Sequence, residues 1–270
     1  MEISISPTVW TEFLEMIDLG DIITPVEVFF GNSTAEVRAS DKTKTIQFVM
    51  PEWELFGATI KNPMPIVIDP KEILADMKKF VKSRSITIET GDSDMTISDD
   101  KGNELHYPLK DKSAAITIPA AKIPTFDTDG KCLFKKKVKD ADGNDSIVQG
   151  PADSVVYIDS TQVQLAVNDM VKHAKTEYVE FGFEENSSYS KTGHMETKAK
   201  VSTSGLVATL QGDSMTFTLP KTFAALVNPF EGEIQIQGTP DSPAIVFKHA
   251  KVDKGDIIVV LMRQRVGNGS

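Results

Sequence analysis

The chain has 270 residues, of which 40% are hydrophobic and 25% charged, the balance of an ordinary globular protein. This length can bury one large core or two cores of moderate size. The formal net charge of -10 at pH 7 excludes a protein that coats nucleic acid with its whole surface, although it is compatible with a single basic face.

Two further properties indicate the compartment. No stretch approaches the roughly 20 apolar residues of a membrane span, and the first residues show neither the basic flank nor the apolar run of a secretory signal. Cys132 is the only cysteine, which excludes an internal disulfide and is typical of a reducing compartment. We therefore predict a cytoplasmic protein, or a nuclear one if the host has a nucleus. We expect Cys132 to be an unreactive residue on the surface or in a loop.

The first predicted unit is a strand, a helix and three more strands. Ile3 and Ile5 alternate with polar residues in the opening strand. Ser6 and Pro7 provide the cap and the first residue of a helix. Apolar residues then recur at helical spacing, at Val9, Phe13, Met16 and Ile17. Three strands with short polar turns between them are predicted at 26–30, 35–39 and 45–50.

The same order of elements repeats directly afterwards. Residues 65–68 predict a strand, and Asp69 and Pro70 begin a second helix that is predicted to run to about Lys82. The apolar stripe of this helix consists of Ile73, Leu74, Met77, Phe80 and Val81. Three short strands are predicted to follow at 85–89, 95–98 and 105–109.

The second half of the chain gives the same order again. A strand at 155–158 precedes a helix from about Ser160 to Ala174. Strands are then predicted at 178–183, near 199–201, at 206–210 and at 215–219, and a helix at 221–227. The closing strands are predicted at 233–237, 244–248 and 256–261. Repetition of one supersecondary unit is diagnostic of architecture. We therefore predict an α+β fold of two similar domains, each built from two strand–helix–three-strand repeats.

The boundary between the predicted domains is rich in proline, glycine and lysine. Residues 119–152 contain three prolines, three glycines and the run Lys-Lys-Lys-Val-Lys at 135–139. This composition predicts an extended connector with a hairpin that turns at 140–145. The predicted organisation is an N-terminal domain at 1–118, a connector with a basic hairpin at 119–152 and a C-terminal domain at 153–270.

Several short segments resemble those of one known family. Arg-Ala-Ser-Asp at 38–41 resembles the segment after that family's first hairpin, and Tyr-Pro-Leu at 107–109 resembles the strand that closes its first domain. Ile123 and Pro124 are similar to the apolar–proline pair of its connector. The segments 242–247, 253–255 and 259–261 are similar to its final hairpin. The family is that of the archaeal and eukaryotic DNA sliding clamps of the proliferating-cell-nuclear-antigen (PCNA) type, and the element order extends the resemblance over nearly the whole chain.

The resemblance implies a ring of two or more copies, most often three, with antiparallel sheets outside and helices lining a central hole. Duplex DNA would pass through the hole and contact lysine and arginine by its phosphates, without sequence preference. The DNA-binding residues implied in this way are Lys71, Lys78, Lys79, Lys82, Arg84, Lys172, His173, Lys175 and Lys221. On charge pattern alone, lysines on the polar side of an amphipathic helix are an ordinary solvated face.

The first helix does not fit a basic hole, because Glu12, Glu15 and Asp18 bring negative charge to it. The lysines at 135–139 either compensate for this charge, if the connector folds towards the hole, or form a solvated loop. The final strand also departs from the family pattern, because Val260 stands where an aromatic residue is usual. These departures are typical of a divergent clamp, archaeal or viral.

The resemblance further implies a hydrophobic pocket between the connector and the second domain. Its lining would be Ser40, Ala121, Ile123, Pro124, Thr218, Leu219, Pro243 and Val260. An apolar–aromatic peptide from a DNA polymerase, a clamp loader or another clamp-binding protein would dock there. The implied function is that of a homotrimeric processivity factor in DNA replication and repair.

The sequence shows no catalytic pattern. The four histidines lie far apart without metal-ligand spacing, and no phosphate-binding glycine loop or nucleophile elbow is present. Residues 140–145 faintly resemble a calcium loop, but Gly143 is misplaced and Pro151 stands where the bidentate glutamate belongs. We therefore predict no enzymatic activity, no metal and no cofactor.

Other functions stay open at this point. A checkpoint-type clamp would load with different partners, and a monomeric viral processivity factor would hold DNA without closing a ring. A β-rich structural or carbohydrate-binding protein would cluster aromatic residues on one exposed sheet face. The chain has only two tryptophans, and Trp10 lies within a predicted helix. An enzyme with dispersed acidic residues is the weakest alternative.

Overall fold

A computed structural model of the chain describes residues 1–139, 143–169, 178–192, 202–220, 223, 226, 230, 232–240, 242–251 and 255–262. The chain divides into two compact units. The first comprises Met1–Lys122 and Ala250–Ile257, and the second comprises Ile123–His249 and Ile258–Ser270. Within the described ranges, no helix is long and apolar enough to cross a membrane.

The first unit contains the predicted strand–helix–strand order twice. Its elements are β1 (Glu2–Ile5), α1 (Pro7–Ile17), β2 (Val26–Phe30), β3 (Thr34–Ser40), β4 (Ile46–Glu54), β5 (Thr59–Lys61), β6 (Ile66–Ile68), α2 (Pro70–Leu74), β7 (Ile86–Thr90), β8 (Asp94–Asp99) and β9 (Glu104–Pro108). Five strands form an antiparallel sheet in the order β5-β1-β7-β8-β9. Strands β4, β3, β2 and β6 are antiparallel neighbours in that order.

Helix α1 forms as its sequence predicts. The Oγ of Ser6 accepts a hydrogen bond from the backbone N–H of Val9 at 3.3 Å, which satisfies one of the free donors of the first turn. Trp10 and Phe13 are fully buried, and the ring of Trp10 lies 6.4 Å from that of Phe30 on β2. Burial of these large rings fixes the apolar face of the helix in the core.

The second helix is shorter than predicted. It ends at Leu74, and a 3₁₀ turn follows at Met77–Phe80. The tighter 3₁₀ geometry places residues three apart on one side, so Met77 and Phe80 are both buried. Val81 then falls outside the apolar stripe and is 74% exposed, so its assignment to that stripe is wrong.

The second unit begins with a hairpin and continues with two sheets. The elements of the second half of the chain are β10 (Leu133–Lys139), β11 (Asp145–Pro151), β12 (Ser154–Asp159), α3 (Ser160–Asp169), β13 (Tyr178–Glu184), β14 (Ser187–Thr192), β15 (Ser202–Gly205), β16 (Ala208–Gly212), β17 (Met215–Pro220), β18 (Glu233–Gly238), β19 (Ala244–Lys251) and β20 (Gly255–Met262). Strands β10 and β11 pair antiparallel, which confirms the predicted hairpin in the connector.

The two sheets of this unit are antiparallel. One runs in the order β15-β14-β13-β17, and β16, β12, β18 and β19 are neighbours in the other. Aromatic rings pack in the core of the unit, where Phe181 and Phe217 stack 5.6 Å apart and Phe223 and Phe247 meet at a tilt 4.9 Å apart. The predicted strand near 199–201, the end of the third helix at 170–174 and most of the helix at 221–227 lie outside the described residues.

Cys132 is not the surface residue that the sequence suggested. Its side chain is 2% exposed, and burial raises the pKa of the thiol to about 12. The surface alternative of the prediction is therefore wrong, whereas Cys132 does lie outside the strands, directly before β10, and the prediction of an unreactive thiol agrees with the raised pKa.

Candidate functional site

Three of the predicted DNA-binding lysines lie around one pocket of the first unit. The pocket has a volume of about 500 Å³, and part of its wall is formed by the 3₁₀ turn at Met77–Phe80 and by the residues directly after that turn. Its lining consists of Lys78, Lys79, Val81, Lys82, Ser83, Lys101 and Asn103. Lys101 comes from the turn between β8 and β9 and does not belong to the predicted DNA-binding set. The pocket therefore combines cations from two separate segments of the chain.

The carboxylate of Asp99 organises the turn that carries Lys101. One oxygen accepts the backbone N–H groups of Lys101 and Asn103, both at 2.9 Å. The other oxygen accepts the hydroxyl of Ser83 and the side-chain amide of Asn103. These hydrogen bonds hold the pKa of Asp99 well below its usual value, and the one from Ser83 has the largest effect. The turn is thereby tied to the segment that follows the 3₁₀ turn.

The five predicted cations of the first unit differ in whether they form ion pairs. Lys71 forms an exposed ion pair with Asp21 at 3.4 Å, and Lys79 forms one with Asp76 at 2.9 Å. Arg84 is exposed. Among the described residues, Lys82 and Arg84 form no ion pair with a carboxylate, and Lys78 acts on Asp76 through its charge without a close contact. The four other predicted positions lie outside the described residues, and they are Lys172, His173, Lys175 and Lys221.

A second pocket, of about 310 Å³, contains one of the predicted partner-binding residues. Ser40 lines it together with Asp21–Pro25, Asp41, Lys42, Ala114 and Ile116. The pocket wall forms because the segment after β9 returns to β3. The N–H of Ser40 donates to the carbonyl of Ile116 at 2.9 Å, and Ala39 and Thr117 form an isolated β-bridge.

Asp41 fixes the loop at the rim of this second pocket. Its carboxylate accepts the backbone N–H of Ile46 at 2.7 Å and that of Thr43 at 3.1 Å, and it also accepts the hydroxyl of Thr43. Burial alone would raise the pKa of Asp41, but these hydrogen bonds outweigh burial and keep it below the usual value. Because these hydrogen bonds fix the loop between Asp41 and Ile46, the rim of the second pocket is already formed without a ligand.

A buried glutamate stands near the same loop segment. Glu27 is 3% exposed, and its carboxylate accepts the hydroxyl of Thr117 and pairs with the Lys112 ammonium at 3.1 Å. A buried carboxylate needs such partners, because an unpaired charge in the interior is costly. The contact joins β2 to the 112–117 segment, and no local sequence pattern predicts it.

The other predicted pocket residues are distributed over both units. Ala121 lies in a 3₁₀ turn of the first unit and is exposed, and Pro243 is exposed in the second unit. Leu219 on β17 and Val260 on β20 are buried strand residues. Ile123, Pro124 and Thr218 are half-buried. Among the described residues, the lining of the second pocket includes only Ser40 from the predicted set. Partner binding by the set stays a prediction.

The connector hairpin is basic on one face. The register pairs Lys135 with Gln149, Lys137 with Ile147 and Lys139 with Asp145, and the side chains of all three lysines are exposed. Lys136 points to the opposite face and forms an ion pair with Asp153. Burial would raise the pKa of Asp153, but hydrogen bonds from Lys136 and Thr239 keep it below the usual value.

The base of the connector is held by one buried amide. Gln237 is fully buried on β18, and its Oε1 accepts the backbone N–H of Cys132 at 2.6 Å. Its Nε2 donates to the carbonyl of Gly130 at 3.0 Å and to Gln235. Ala152 N–H donates to the carbonyl of Cys132 at 2.9 Å. The two ends of the hairpin are therefore fixed to one strand of the second unit and to each other.

Within the residues that the structure describes, no group of three or more His, Cys, Asp or Glu side chains could hold a metal ion. Both tryptophans are buried, Trp10 in α1 and Trp53 in β4. The described sheets therefore do not present a tryptophan platform of the kind that binds carbohydrate. The lysine pocket brings several ammonium groups together, which is the chemistry that attracts anions, and partner binding at the capped loop stays a prediction.

The fold of this chain, two units of mostly antiparallel sheets with few helices, is similar to that of the PCNA-type sliding clamps. A PCNA structure from Thermococcus kodakaraensis matches with a TM-score of 0.65 and 13% identity, over 97% of this chain and 99% of that chain. A PCNA structure from Entamoeba histolytica matches with a TM-score of 0.68 and 10% identity, over 97% of this chain and 98% of that one. No protein-family model and no curated protein sequence match the chain. The predicted resemblance is confirmed at the level of the fold.

Proposed function

We propose that this chain is the subunit of a ring-shaped DNA sliding clamp, a non-enzymatic processivity factor that encircles duplex DNA. The observation that carries the proposal is the likeness in fold to two PCNA structures over 97% of the chain. On this proposal three copies form the ring, the helices line its hole, and a polymerase is held on DNA by topology rather than by tight binding.

Three features of the chain support the proposal. The exposed cations Lys78, Lys82 and Lys101 offer phosphate contacts on a protein whose net charge is -10, so attraction to DNA is confined to a minority of its surface. Strands β9 and β15 are sheet edges, and pairing of such edges between copies would close a ring without leaving them free. A capped loop at Ser40–Lys42 provides the start of a peptide-docking surface.

The proposed organisation follows the sequence prediction. Residues 1–118 and 153–270 are the two clamp domains, and 119–152 form the connector with its basic hairpin. The predicted residues from Ser40 to Val260 receive the clamp-binding peptide of a polymerase, a clamp loader or a repair protein. The expected location is wherever chromosomal DNA is copied, in the cytoplasm or in a nucleus.

The first experiment measures the solution mass by light scattering at several protein concentrations. A mass near three times the 29.6 kDa of one chain supports the closed ring, whereas a strict monomer at high concentration overturns it. The second experiment tests topology without a loader. A closed ring threads onto linear duplex DNA over a free end, so binding should vanish when streptavidin blocks both biotinylated ends. Binding that is indifferent to end blocking would point to a groove-binding protein instead.

A further inference from the structure

The anion pocket of the first unit contains a cation that the helix alone does not supply. Lys78 and Lys82 belong to the 3₁₀ turn and to the residues just after it, whereas Lys101 comes from the β8–β9 turn, about 20 residues further along. The ammonium group of Lys101 donates a hydrogen bond to the backbone carbonyl of Lys82. A lysine has three donors, so two N–H bonds of Lys101 are left for a ligand.

The position of Lys101 is fixed by Asp99. Four hydrogen bonds end on that carboxylate, and the donors come from Ser83, Lys101 and Asn103. The turn itself requires Gly102, whose φ of 82° is a left-handed conformation that other residues rarely adopt. Asp99 therefore acts on the pocket through Lys101, since its own oxygens are occupied by these donors.

The lining of the pocket selects the class of ligand. Four of its seven residues are lysines, and the ammonium of Lys79 is engaged with Asp76 at 2.9 Å. This leaves Lys78, Lys82 and Lys101, with the side chains of Ser83 and Asn103 as polar neighbours. Ammonium groups around an open pocket attract a compact anion with several acceptor oxygens, and a phosphate group meets that requirement.

We propose that Lys101 completes a phosphate-binding pocket with Lys78 and Lys82, and that Asp99 is the residue that positions Lys101. Under the proposed clamp function, on which this inference rests, the ligand is a phosphate of the duplex backbone. The pocket then makes a contact at a defined place in the hole, rather than contributing only to a diffuse positive potential.

The proposal makes opposite predictions from simple electrostatics for one substitution. Asp99→Asn removes a negative charge beside the lysines, so a purely diffuse potential would strengthen DNA binding. If Asp99 positions Lys101, the same substitution weakens DNA binding, because the amide nitrogen that replaces one carboxylate oxygen cannot accept the hydrogen bonds that Ser83 and the side chain of Asn103 donate to that oxygen. The sign of the change therefore separates a positioned contact from a charged face.

The experiment measures binding of a fluorescently labelled short duplex by anisotropy over a range of salt concentrations. Loss of one phosphate contact reduces the slope of log K against log salt by about 0.9. We expect Lys101→Ala to produce this reduction and to lower the affinity about threefold to tenfold at low salt. Lys101→Arg should retain binding. Asp99→Asn should lower the slope similarly, but should have no further effect in the Lys101→Ala background.

A matched control is available on the same sheet. Lys61 is an exposed lysine on β5, at the opposite edge of the sheet from β9. The register places Lys61 across from Glu2, with which it forms an ion pair, and Glu2 lies across from Glu89 on β7. Asp99 pairs with Ile86 at the other end of β7. Lys61→Ala removes the same charge from the chain and should leave the salt slope unchanged. Equal slopes for the Lys61→Ala and Lys101→Ala variants overturn the proposal.

A second ligand separates this inference from the proposed function. Inorganic pyrophosphate is titrated into the protein while the amide signals of Gly102 and Asn103 are followed by NMR, with Lys101→Ala as the comparison. Shifts that depend on Lys101, without any binding of duplex DNA, would support a pocket for free phosphate and contradict the clamp function. Duplex binding that does not depend on Lys101 would support the clamp function and overturn the pocket.

Discussion

The buried amide of Gln237 carries no charge, but its loss should lower the free energy of unfolding by about 2–3 kcal/mol. In the Gln237→Leu variant the backbone N–H of Cys132 and the carbonyl of Gly130 lose their partner. A buried donor without a partner costs about 1–3 kcal/mol, and the half-buried carbonyl can recover part of its loss through water. We therefore expect a decrease of about 2–3 kcal/mol in the free energy of unfolding.

A matched control lies on β16, the strand on the other side of β12. Gln211 on β16 and Gln237 on β18 both pair with Val155 of β12, one on each side, but Gln211 is exposed. Gln211→Leu should change the free energy of unfolding by no more than about 0.5 kcal/mol. Both variants are compared by urea unfolding at one protein concentration, because association would shift the apparent stability.

The single cysteine provides a second readout at the site of the change. If the connector base loosens in the Gln237→Leu variant, labelling of Cys132 by a thiol reagent under native conditions should become faster than in the wild type. If Gln237→Leu costs no more stability than Gln211→Leu and leaves the labelling rate unchanged, Gln237 does not anchor the connector and the reasoning is wrong.

Three further predictions follow from individual groups. In the wild type, alkylation of Cys132 at pH 8 should be about a thousandfold slower than that of a free thiol, because its pKa is raised from 9.0 to about 12; a rate near that of a free thiol would contradict the burial. Asp41 has a lowered pKa, so its stabilising effect is present above the unfolded value of 3.8 and is lost as the pH falls below it. Asp41→Asn should therefore lower the urea midpoint at pH 7, and the difference from the wild type should shrink towards pH 3; a difference independent of pH would refute this linkage. Lys136→Met removes the ion pair with Asp153 and should speed amide hydrogen exchange across β10 and β11, whereas Lys137→Met should not, since the side chain of Lys137 is exposed on the other face.

Local patterns were sufficient where an element is stabilised by its own residues. The Ser6–Pro7 start of α1 and its buried aromatic face were predictable because cap, first turn and apolar spacing all act within one helix. The repeated strand order was predictable for the same reason. The hairpin of the connector also followed from composition, because turn residues separate two strand-forming runs.

Features that depend on distant partners were not predictable in this way. Cys132 is buried beneath Gln237, which lies 105 residues later in the chain, and no local pattern encodes that contact. Helix α2 stops early where Asp76 pairs with Lys79 and accepts a hydrogen bond from Tyr107 at 3.2 Å. Lys101 could have been found, because Asp-Asp-Lys-Gly-Asn at 99–103 is a strong turn sequence that brings a lysine to the end of a hairpin.

The connector hairpin has a consequence for solubility. Strands β10 and β11 form a sheet of two strands, so most of the outer edge of each has no neighbouring strand among the described residues. Leu133 at the start of β10 still donates its N–H to the carbonyl of Thr125, and Ile147 on β11 is 70% exposed. Such a ribbon is a template for stacking of identical chains into fibres. Lys135, Lys137 and Lys139 place like charges along one face, so a second ribbon is repelled before its strands can join. We expect neutralisation of these lysines, for instance by acetylation, to make the connector more prone to aggregation.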